Sequence, residues 1–392
     1  MPQKAAYVAT VSSHLTYFHI PFMKMLEQRG FEVHAYASPD HTQVDLEKQA
    51  IDLRNITFSR NPISIRNLRA LAQLTRAFRK ERYDLIHVHT PVASIICRLA
   101  AKLAGCKNVF YTAHGFHFFK GASWLNWLVY YPAEWLMSKW TDVLITINEE
   151  DHQRASRFPI RGKVVYVPGV GVDTSRYRGM DKTRYIQLRE ELGIDKSIFT
   201  IICVAEYIPR KNHEQLLHAI KEMNQNGIPV VCLLAGVGVN EQAMKDLASR
   251  LGIAHVVRFL GFRRDVGELM QIADAAVLLS RQEGLPKMLM EAMSAGKPLV
   301  VTDVRGNREL VTMFENGFKV AVDDAAGTAQ ALTELSENVN LRDRMGKSSL
   351  EKSEKLDLKH IELLLGQLYA DAMPSRSEQT STSINEEEGM VL

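Results

Sequence analysis

The chain has 392 residues, of which 46% are apolar and 24% charged, and its formal net charge is +3. These values are typical of a globular protein of two or three domains. No stretch approaches 18 uncharged apolar residues, which excludes a membrane span and a signal peptide. The four cysteines form no C-x-x-C pair, so we expect buried thiols in a cytoplasmic protein rather than a disulfide framework or a cysteine zinc site.

The first half of the chain alternates strands with helices. An apolar strand at 5–10 opens it, and further strands read RGFEVHAYAS, YDLIHVHT, NVFYTAH and WTDVLITIN, with a basic helix over about 65–80. This alternation predicts an α/β domain with a doubly wound parallel sheet. Pro168, Gly169 and Gly171 mark its end, so we place the first domain at residues 1–170.

The same pattern restarts at FTIICVAEYIPRKN and continues through IPVVCLLAGVG, VVRFLGF, AAVLLSR and KPLVVTD, which predicts a second α/β domain over 171–350. A helix over 351–373 is long enough to reach back to the first domain. Residues 374–392 are rich in Ser, Thr and Glu and are predicted to be disordered. Ligands of doubly wound sheets bind beyond the carboxyl ends of the strands, so two such domains facing each other would enclose a cleft for two substrates.

The segment SRQEGLPKMLMEAMSAGKPLVV, residues 280–301, places Glu283 in a loop after a strand and Glu291 in the helix that follows. Ionised carboxylates only accept hydrogen bonds, and each can bind two hydroxyl groups. Backbone amides of Gly284, Leu285 and Lys287 could receive phosphate or sugar oxygens at the start of the helix. The alternative interpretation is a surface-loop glutamate followed by a glutamate on a helix face.

Three motifs carry a family resemblance: HGFHFF in the first domain, EYIPRKNHEQLLHAI at the start of the second and EGLPKMLMEAMSAGKPLVVTD near its end. Together they resemble the GT-B glycosyltransferases of family 4, most of all the EpsD-type enzymes of exopolysaccharide and capsule assembly, over about residues 5–370. The resemblance implies two Rossmann-like domains across a cleft. The first would bind the acceptor and the second a nucleotide-sugar donor.

The resemblance also assigns roles in the second domain. Glu283 would contact hydroxyl groups of the donor sugar, Glu291 would accept hydrogen bonds from the ribose, and Lys211 would bind the diphosphate. No D-x-D pair occurs in the chain, which fits a metal-independent enzyme with no metal site and no cofactor besides its UDP-sugar substrate. In such an enzyme arginine and lysine stabilise the diphosphate as it leaves.

One position departs from the family pattern. Glu206 stands where relatives have an arginine, and we expect Arg210 or Arg305 to compensate. The alternative interpretation of the PRKN motif is a set of solvated charges at a turn between strand and helix.

His114 follows the strand NVFYTA at the carboxyl edge of the first domain, and the resemblance implies that it contacts the donor sugar. For His117 a functional and a structural role are both open. His87 and His89 lie inside a strand pattern, so we assign them no ligand role.

Two further loops are candidates. Ser12, Ser13 and His14 lie between a strand and a helix, where they could meet phosphates of donor or acceptor or could simply cap the helix. The segment GFRRDVGELM is predicted to form the turn before a helix, with Asp265 as its N-cap. In enzymes similar to this one that turn meets the nucleobase, which makes Phe262 and Arg263 donor-binding candidates. The alternative is ordinary turn chemistry.

Two segments of the first domain favour contact with a membrane. Residues 1–170 carry 21 basic against 13 acidic residues, an excess suited to an anionic partner. One segment is a helix whose predicted apolar face holds Leu68, Leu71, Ala72, Leu74 and Phe78 and whose basic face holds Arg66, Arg69, Arg76, Arg79 and Lys80. The other, WLNWLVYYPAEWLMSKW, holds all four tryptophans, including Trp124 and Trp127. Solvated and packed faces are the alternative.

These features predict a retaining glycosyltransferase that moves a sugar, by analogy an N-acetylhexosamine, from a UDP-sugar to a polyprenyl-diphosphate-linked saccharide. It would dock on the inner face of the plasma membrane, with other polysaccharide-assembly enzymes as candidate partners. The resemblance implies front-face attack, with the diphosphate taking the proton. A sugar-nucleotide 2-epimerase and a catalytically silent nucleotide-sugar-binding subunit are the alternatives. The basic residues are not interleaved with stacking aromatics, which argues against nucleic acid.

Overall fold

The computed structural model describes residues 2–59, 61–62 and 64–373. It divides the chain into two compact units. The first contains the described residues up to Val170 and those from His360 onward, and the second is Gly171–Lys359. The second unit therefore extends past residue 350, where the sequence placed its end. The tail 374–392, predicted to be disordered, lies outside the described residues.

A parallel sheet forms the centre of the first unit. Its strands among the described residues are β1 (Lys4–Val11), β2 (Glu32–Ser38), β3 (Asp52–Asn55), β4 (Leu85–His89), β5 (Val109–Ala113), β6 (Val143–Thr146) and β7 (Lys163–Tyr166). They lie in the order β3-β2-β1-β4-β5-β6-β7, and all neighbours are parallel. The order changes direction between β1 and β4, which is the point where doubly wound sheets bind their ligands.

The second unit repeats this design with a six-stranded sheet in its described residues. The strands are β8 (Phe199–Val204), β9 (Val230–Ala235), β10 (Val257–Gly261), β11 (Ala275–Leu278), β12 (Leu299–Thr302) and β13 (Gly317–Val320). Their order is β10-β9-β8-β11-β12-β13, again parallel throughout. Its switch point lies between β8 and β11. The predicted pair of doubly wound α/β domains is therefore observed, one in each unit.

Helices connect the strands. In the described residues they are α1 (Ser12–Phe18), α2 (Ile20–Gln28), α3 (Gln43–Lys48), α4 (Arg66–Glu81), α5 (Pro91–Ala104), α6 (Trp124–Ser138), α7 (Glu149–Ala155), α8 (Lys182–Glu191), α9 (His213–Gln225), α10 (Glu241–Arg250), α11 (Val266–Ile272), α12 (Lys287–Ser294), α13 (Asn307–Leu310), α14 (Ala325–Glu337), α15 (Val339–Ser353) and α16 (Leu358–Ala372). Short 3-10 helices cover Thr174–Tyr177, Pro209–Lys211 and Glu354–Leu356.

Helix α16 belongs to the first unit from His360 onward. The sequence predicted one helix over 351–373, but a 3-10 turn separates α15 from α16, which begins at Leu358. The Tyr369 hydroxyl lies 2.6 Å from the Tyr7 hydroxyl on β1 and 2.6 Å from Nδ1 of His87 on β4. Arg29 Nη1 donates to the Gly366 carbonyl at 2.7 Å. The end of the described chain thus packs on the central strands of the first sheet.

Helix α4 is amphipathic, but its buried face differs from the predicted one. Asn67, Ala70, Leu74 and Phe78 are buried, whereas Leu68 is 64% exposed. The buried positions recur every three or four residues, as one stripe of an α-helix requires, and Leu68 lies outside that stripe. The inclusion of Leu68 and Ala72 in the apolar face was therefore wrong.

A buried ion pair joins α5 to α6. Arg98 Nη2 lies 2.6 Å from Glu134 Oε2, and these side chains are 0% and 3% exposed. The Tyr111 hydroxyl donates to the other Glu134 oxygen at 3.1 Å, and Ser94 accepts from Arg98 Nη2 at 2.9 Å. The guanidinium also lies over the Tyr111 ring, 4.3 Å from its centre. Both charges are therefore fully partnered inside the protein.

The composition predicted buried cysteine thiols and no membrane span. All four cysteines are free thiols, with Cys97, Cys203 and Cys232 buried and Cys106 half-buried. Among the described residues, the helices lack the combination of length and apolar character that crossing a membrane requires.

Candidate active site

The switch point of the second sheet carries an ion pair. Strand β8 leads into the 3-10 helix that ends at Lys211, and β11 leads into the loop that holds Glu283. Because β8 and β11 are hydrogen-bonded neighbours, their loops meet, and Lys211 Nζ lies 2.6 Å from Glu283 Oε1. Glu283 is only 6% exposed, so the pair is held largely out of water. Two residues predicted separately are thus brought into contact.

Both arginines expected to compensate for Glu206 contact the loop that holds Glu283. Arg210 donates from Nη1 to the Gln282 carbonyl at 2.9 Å and lies 3.5 Å from Glu283 Oε2. Arg305 is buried and donates from Nε to the main-chain carbonyl of Glu283 at 3.2 Å. The loop therefore has three cations around it.

The loop between Glu283 and α12 packs against Gly306. A Cβ atom at Gly306 would lie 2.4 Å from the Gly284 oxygen, and the φ angle of +81° at Gly306 also favours glycine. Leu285 is buried, and α12 begins at Lys287. This packing fixes the path of the loop, while the use of its amides by a ligand stays a prediction.

Glu291 lies in α12 as predicted, and a partner that the sequence did not reveal holds it. The Tyr177 hydroxyl donates to Glu291 Oε1 at 2.7 Å, and Lys287 Nζ lies 3.7 Å from the same oxygen, one helical turn earlier. Burial raises the pKa of Glu291, although the Lys287 charge and the Tyr177 hydrogen bond oppose that rise. Tyr177 is 114 positions away in sequence, and no local pattern pairs it with Glu291.

The predicted nucleobase turn is held by its own ion pair. Arg263 makes two hydrogen bonds to the Asp265 carboxylate, and Phe262 is exposed. Asp265 precedes α11, as expected, but its side chain binds Arg263 instead of capping the helix. The capping prediction was therefore wrong, because a guanidinium two residues away competes for the carboxylate.

An aspartate already binds the groups that were predicted to meet phosphate. Ser12 Oγ donates to Asp40 Oδ1 at 2.7 Å, and the Ser13 amide donates to Asp40 Oδ2 at 3.0 Å. Burial raises the pKa of Asp40, but hydrogen bonds from Ser13, Ser12 and Thr42 outweigh it and hold this pKa well below its usual range. A phosphate at these two serines would meet a carboxylate that is ionised at neutral pH.

His114 follows β5, the strand next to β4 at the switch point of the first sheet, and lies beside other histidines. Its Nε2 is 3.3 Å from His89 Nδ1, and its ring centre is 4.6 Å from that of His14. Burial lowers the pKa of His114 well below 6.5, and the neighbouring His14 and His87 lower it further. A neutral imidazole can donate one hydrogen bond and accept another, which suits a contact with a sugar hydroxyl.

Comparison with known proteins shows which family the chain belongs to. The profile described as "Glycosyltransferase Family 4" matches residues 22–176, and the one described as "Glycosyl transferases group 1" matches residues 185–352. The chain is 39% identical to "Putative glycosyltransferase EpsD" of Bacillus subtilis, over 88% of this chain and 91% of the relative. The chain belongs to family 4 of the glycosyltransferases. The predicted family and transferase activity are confirmed.

The transferase has other relatives with more specific names. It is 29% identical to "UDP-Gal:alpha-D-GlcNAc-diphosphoundecaprenol alpha-1,3-galactosyltransferase" of Escherichia coli, over 72% of this chain and 74% of the relative. It is 21% identical to "N,N'-diacetylbacillosaminyl-diphospho-undecaprenol alpha-1,3-N-acetylgalactosaminyltransferase" of Campylobacter jejuni, over 93% and 97%. The crystal structure of Anabaena HepE in complex with UDP aligns with a TM-score of 0.78 at 21% identity, over 94% of this chain and 100% of HepE. The predicted GT-B fold class is confirmed.

Proposed function

We propose that this transferase moves an N-acetylhexosamine from a UDP-sugar to a polyprenyl-diphosphate-linked saccharide in exopolysaccharide or capsule assembly. The reaction retains the anomeric configuration and uses no metal ion. The Lys211–Glu283 pair at the switch point of the second sheet carries the proposal, because doubly wound sheets bind nucleotides there. The name of the Escherichia coli relative supports a UDP-sugar donor, and that of the Campylobacter jejuni relative supports an N-acetylhexosamine. Both names support an acceptor linked to a polyprenyl diphosphate.

The cations around Glu283 can stabilise a leaving diphosphate. An ammonium has three N–H donors, so Lys211 can keep its bond to Glu283 and still offer two hydrogen bonds to phosphate oxygens. Arg210 is partly exposed and adds a second cation with several donors. Charge that develops on the diphosphate as the glycosidic bond breaks would be met by donors already in place.

Glu283 suits a positioning role better than that of a general base. Its Oε1 is bonded to Lys211 and its Oε2 lies near Arg210, so both oxygens serve as acceptors. It can likewise accept hydrogen bonds from hydroxyl groups of the donor sugar. A proton released by the acceptor hydroxyl would pass to the departing diphosphate, which lies on the same face in a front-face reaction.

Replacing Glu291 by alanine is expected to weaken donor binding about 10-fold or more, since hydrogen bonds to a charged group contribute roughly 1.5–3 kcal/mol. Purified protein would be titrated with UDP-GlcNAc, UDP-GalNAc, UDP-galactose, UDP-glucose and GDP-mannose, with calorimetry and thermal shift as readouts. We expect an N-acetylated UDP-sugar to stabilise the wild type most.

Glu351→Ala is the matched control, because Glu351 is exposed on α15 and should leave binding unchanged. Preference for GDP-mannose, or Glu291→Ala binding as tightly as the wild type, would contradict the placement of the nucleotide. With the preferred donor and a polyprenyl-diphosphate-linked acceptor, the anomeric configuration of the product by NMR tests retention.

Helices α4 and α6 form the surface proposed to dock on the inner face of the plasma membrane. Helix α5 contacts both of them. Apolar side chains are exposed along α6, with Trp124 at 71%, and the exposed set is Trp124, Leu125, Trp127, Leu128, Val129, Trp135 and Leu136. The five basic residues predicted on α4 are all exposed. Exposed apolar area beside clustered positive charge is typical of proteins that bind anionic membranes.

Replacing Arg66, Arg69 and Arg76 together by glutamine is expected to reduce binding to anionic liposomes roughly 100-fold, at about 1 kcal/mol for each basic residue near the surface. Co-sedimentation with vesicles containing phosphatidylglycerol measures this. The control replaces three exposed basic residues of the second unit, Lys182, Arg250 and Lys355. Equal loss in both variants, or none in the first, would refute docking through α4.

A further inference from the structure

Four histidines meet at the carboxyl edge of the first sheet. His14 follows β1, His89 ends β4, His114 follows β5, and His19 lies between α1 and α2. Each offers one ring nitrogen, and these four nitrogens all lie within 4.8 Å of one another. They come from three segments of the chain, since His14 and His19 are five residues apart, and the fold brings those segments together.

The hydrogen bonding of these rings is incomplete. Within the described part of the chain, the Nε2 atoms of His14, His19 and His89 are buried without a hydrogen-bond partner. The neighbouring His87 differs, because its two nitrogens lie 2.6 Å from the Tyr369 hydroxyl and 2.7 Å from the Thr112 hydroxyl. Buried polar atoms are seldom left unsatisfied, since each costs about 1–3 kcal/mol. The unpartnered nitrogens of His14 and His19 indicate a missing ligand, because these two rings can share one ion.

Ring positions show which histidines can share an ion. Zinc–nitrogen bonds of about 2.0–2.1 Å place the centres of two imidazoles on one tetrahedral ion roughly 5 Å apart. The distances are 4.6 Å for His14 and His114, 5.1 Å for His14 and His19, and 5.3 Å for His19 and His114. His19 and His89 are stacked with centres 3.6 Å apart, too close for both to bind the ion.

We propose that His14, His19 and His114 bind a transition-metal dication of the zinc type. His89 supports the site by stacking on His19. Imidazole favours zinc, cobalt, nickel and copper over magnesium and calcium, which prefer oxygen ligands. Three histidines leave the fourth tetrahedral position to water, as in sites of the open type.

Histidines must be neutral to bind a metal. Burial lowers the pKa of His14 to about 4, and the pKa values of His19 and His114 are also lowered, first by burial. At neutral pH no proton would have to leave these rings before the ion binds. The absence of a carboxylate from the three ligands leaves the ion's positive charge uncompensated, so we expect weaker binding than in a cysteine zinc site.

This site departs from the expectation that the chain holds no metal. The ion would belong to the first unit, whereas the cations proposed for the diphosphate belong to the second. A metal on His114 would compete with the donor-sugar contact that the resemblance implies for this residue, so zinc is expected to inhibit transfer where magnesium does not. That consequence rests on the proposed function, whereas metal binding itself does not.

The test uses full-length protein without a polyhistidine tag, titrated with Zn²⁺ alone and with Co²⁺ alone. We expect one ion per chain and the strong visible absorption of four-coordinate Co²⁺. His14→Gln and His19→Gln should each weaken binding at least about 10-fold, while His360→Gln, at an exposed position on α16, should not. Circular dichroism of the metal-free variants checks that they fold.

The Co²⁺ spectrum is recorded on the wild-type protein, so it tests the site even if a variant fails to fold. No stoichiometric uptake, a six-coordinate Co²⁺ spectrum, or unchanged affinity in both folded glutamine variants would each overturn the site. Because metal binding is measured without donor or acceptor, its failure is distinct from a failure of the proposed transferase specificity.

Discussion

Replacing Glu134 by alanine is expected to destabilise the first unit by about 3–5 kcal/mol. The variant leaves the Arg98 guanidinium fully buried, 0% exposed, without its opposite charge. Ser94 and the face of Tyr111 remain as partners, but neither is an anion. An uncompensated buried charge is among the largest single-residue effects on stability, because the unfolded state returns that charge to water.

Urea unfolding followed by tryptophan fluorescence reports on this unit, because all four tryptophans lie within residues 124–140. The double variant Arg98→Met/Glu134→Leu removes both charges and should recover most of the loss. Asp371→Ala breaks the exposed pair with Lys163 and should cost less than about 1 kcal/mol. A loss below about 1 kcal/mol for Glu134→Ala would mean that water reaches Arg98.

Replacing Lys211 by alanine is expected to lower kcat about 100- to 1,000-fold, the usual effect of removing one preorganised donor from a developing negative charge. The lysine bonds Glu283 at 2.6 Å, so its loss also leaves that carboxylate with the more distant Arg210. The stabilisation of the leaving diphosphate and the contact of Glu283 with the donor sugar would both be weakened. Steady-state kinetics with the preferred UDP-sugar and the lipid-linked acceptor measure the effect.

Two variants separate these contributions. Lys211→Arg keeps a positive charge but changes its geometry, so an intermediate kcat is expected. Lys196→Ala removes an exposed lysine of the same unit and should leave kcat unchanged. If Lys211→Ala stays within about 10-fold of the wild type, the diphosphate is stabilised by other groups, and our assignment of Lys211 fails.

Local sequence patterns predicted the parts that depend on local physics. The alternation of apolar strands with helices predicted both doubly wound sheets, and the turn after β11 placed Glu283 in a loop and Glu291 in a helix. Strand neighbours were not predicted, so the contact between Lys211 and Glu283, 72 positions apart, had to be observed. The same holds for Tyr177, which meets Glu291 only after the unit has folded.

One error arose where two local interactions compete. Asp265 stands where a helix cap belongs, but Arg263 takes its carboxylate. The contacts of Ser12 and Ser13 with Asp40 were not predicted either, and a role of these serines in binding phosphate stays a prediction. His89 reads as a strand residue, and its place beside His114 depends on which strands are neighbours. Sequence shows which groups are available, and only the fold shows which partner reaches them.

Because α16 packs on the first sheet, the first unit can complete its packing only at the end of translation. Tyr369 fills its place between Tyr7 and His87 only after the entire second unit has been translated. At about 5–20 residues per second, this contact lags the completion of residue 170 by roughly 10–40 seconds. The nascent first unit must survive that interval on the ribosome with an apolar surface uncovered. The first unit is thus synthesised before the second unit but completes its packing after it.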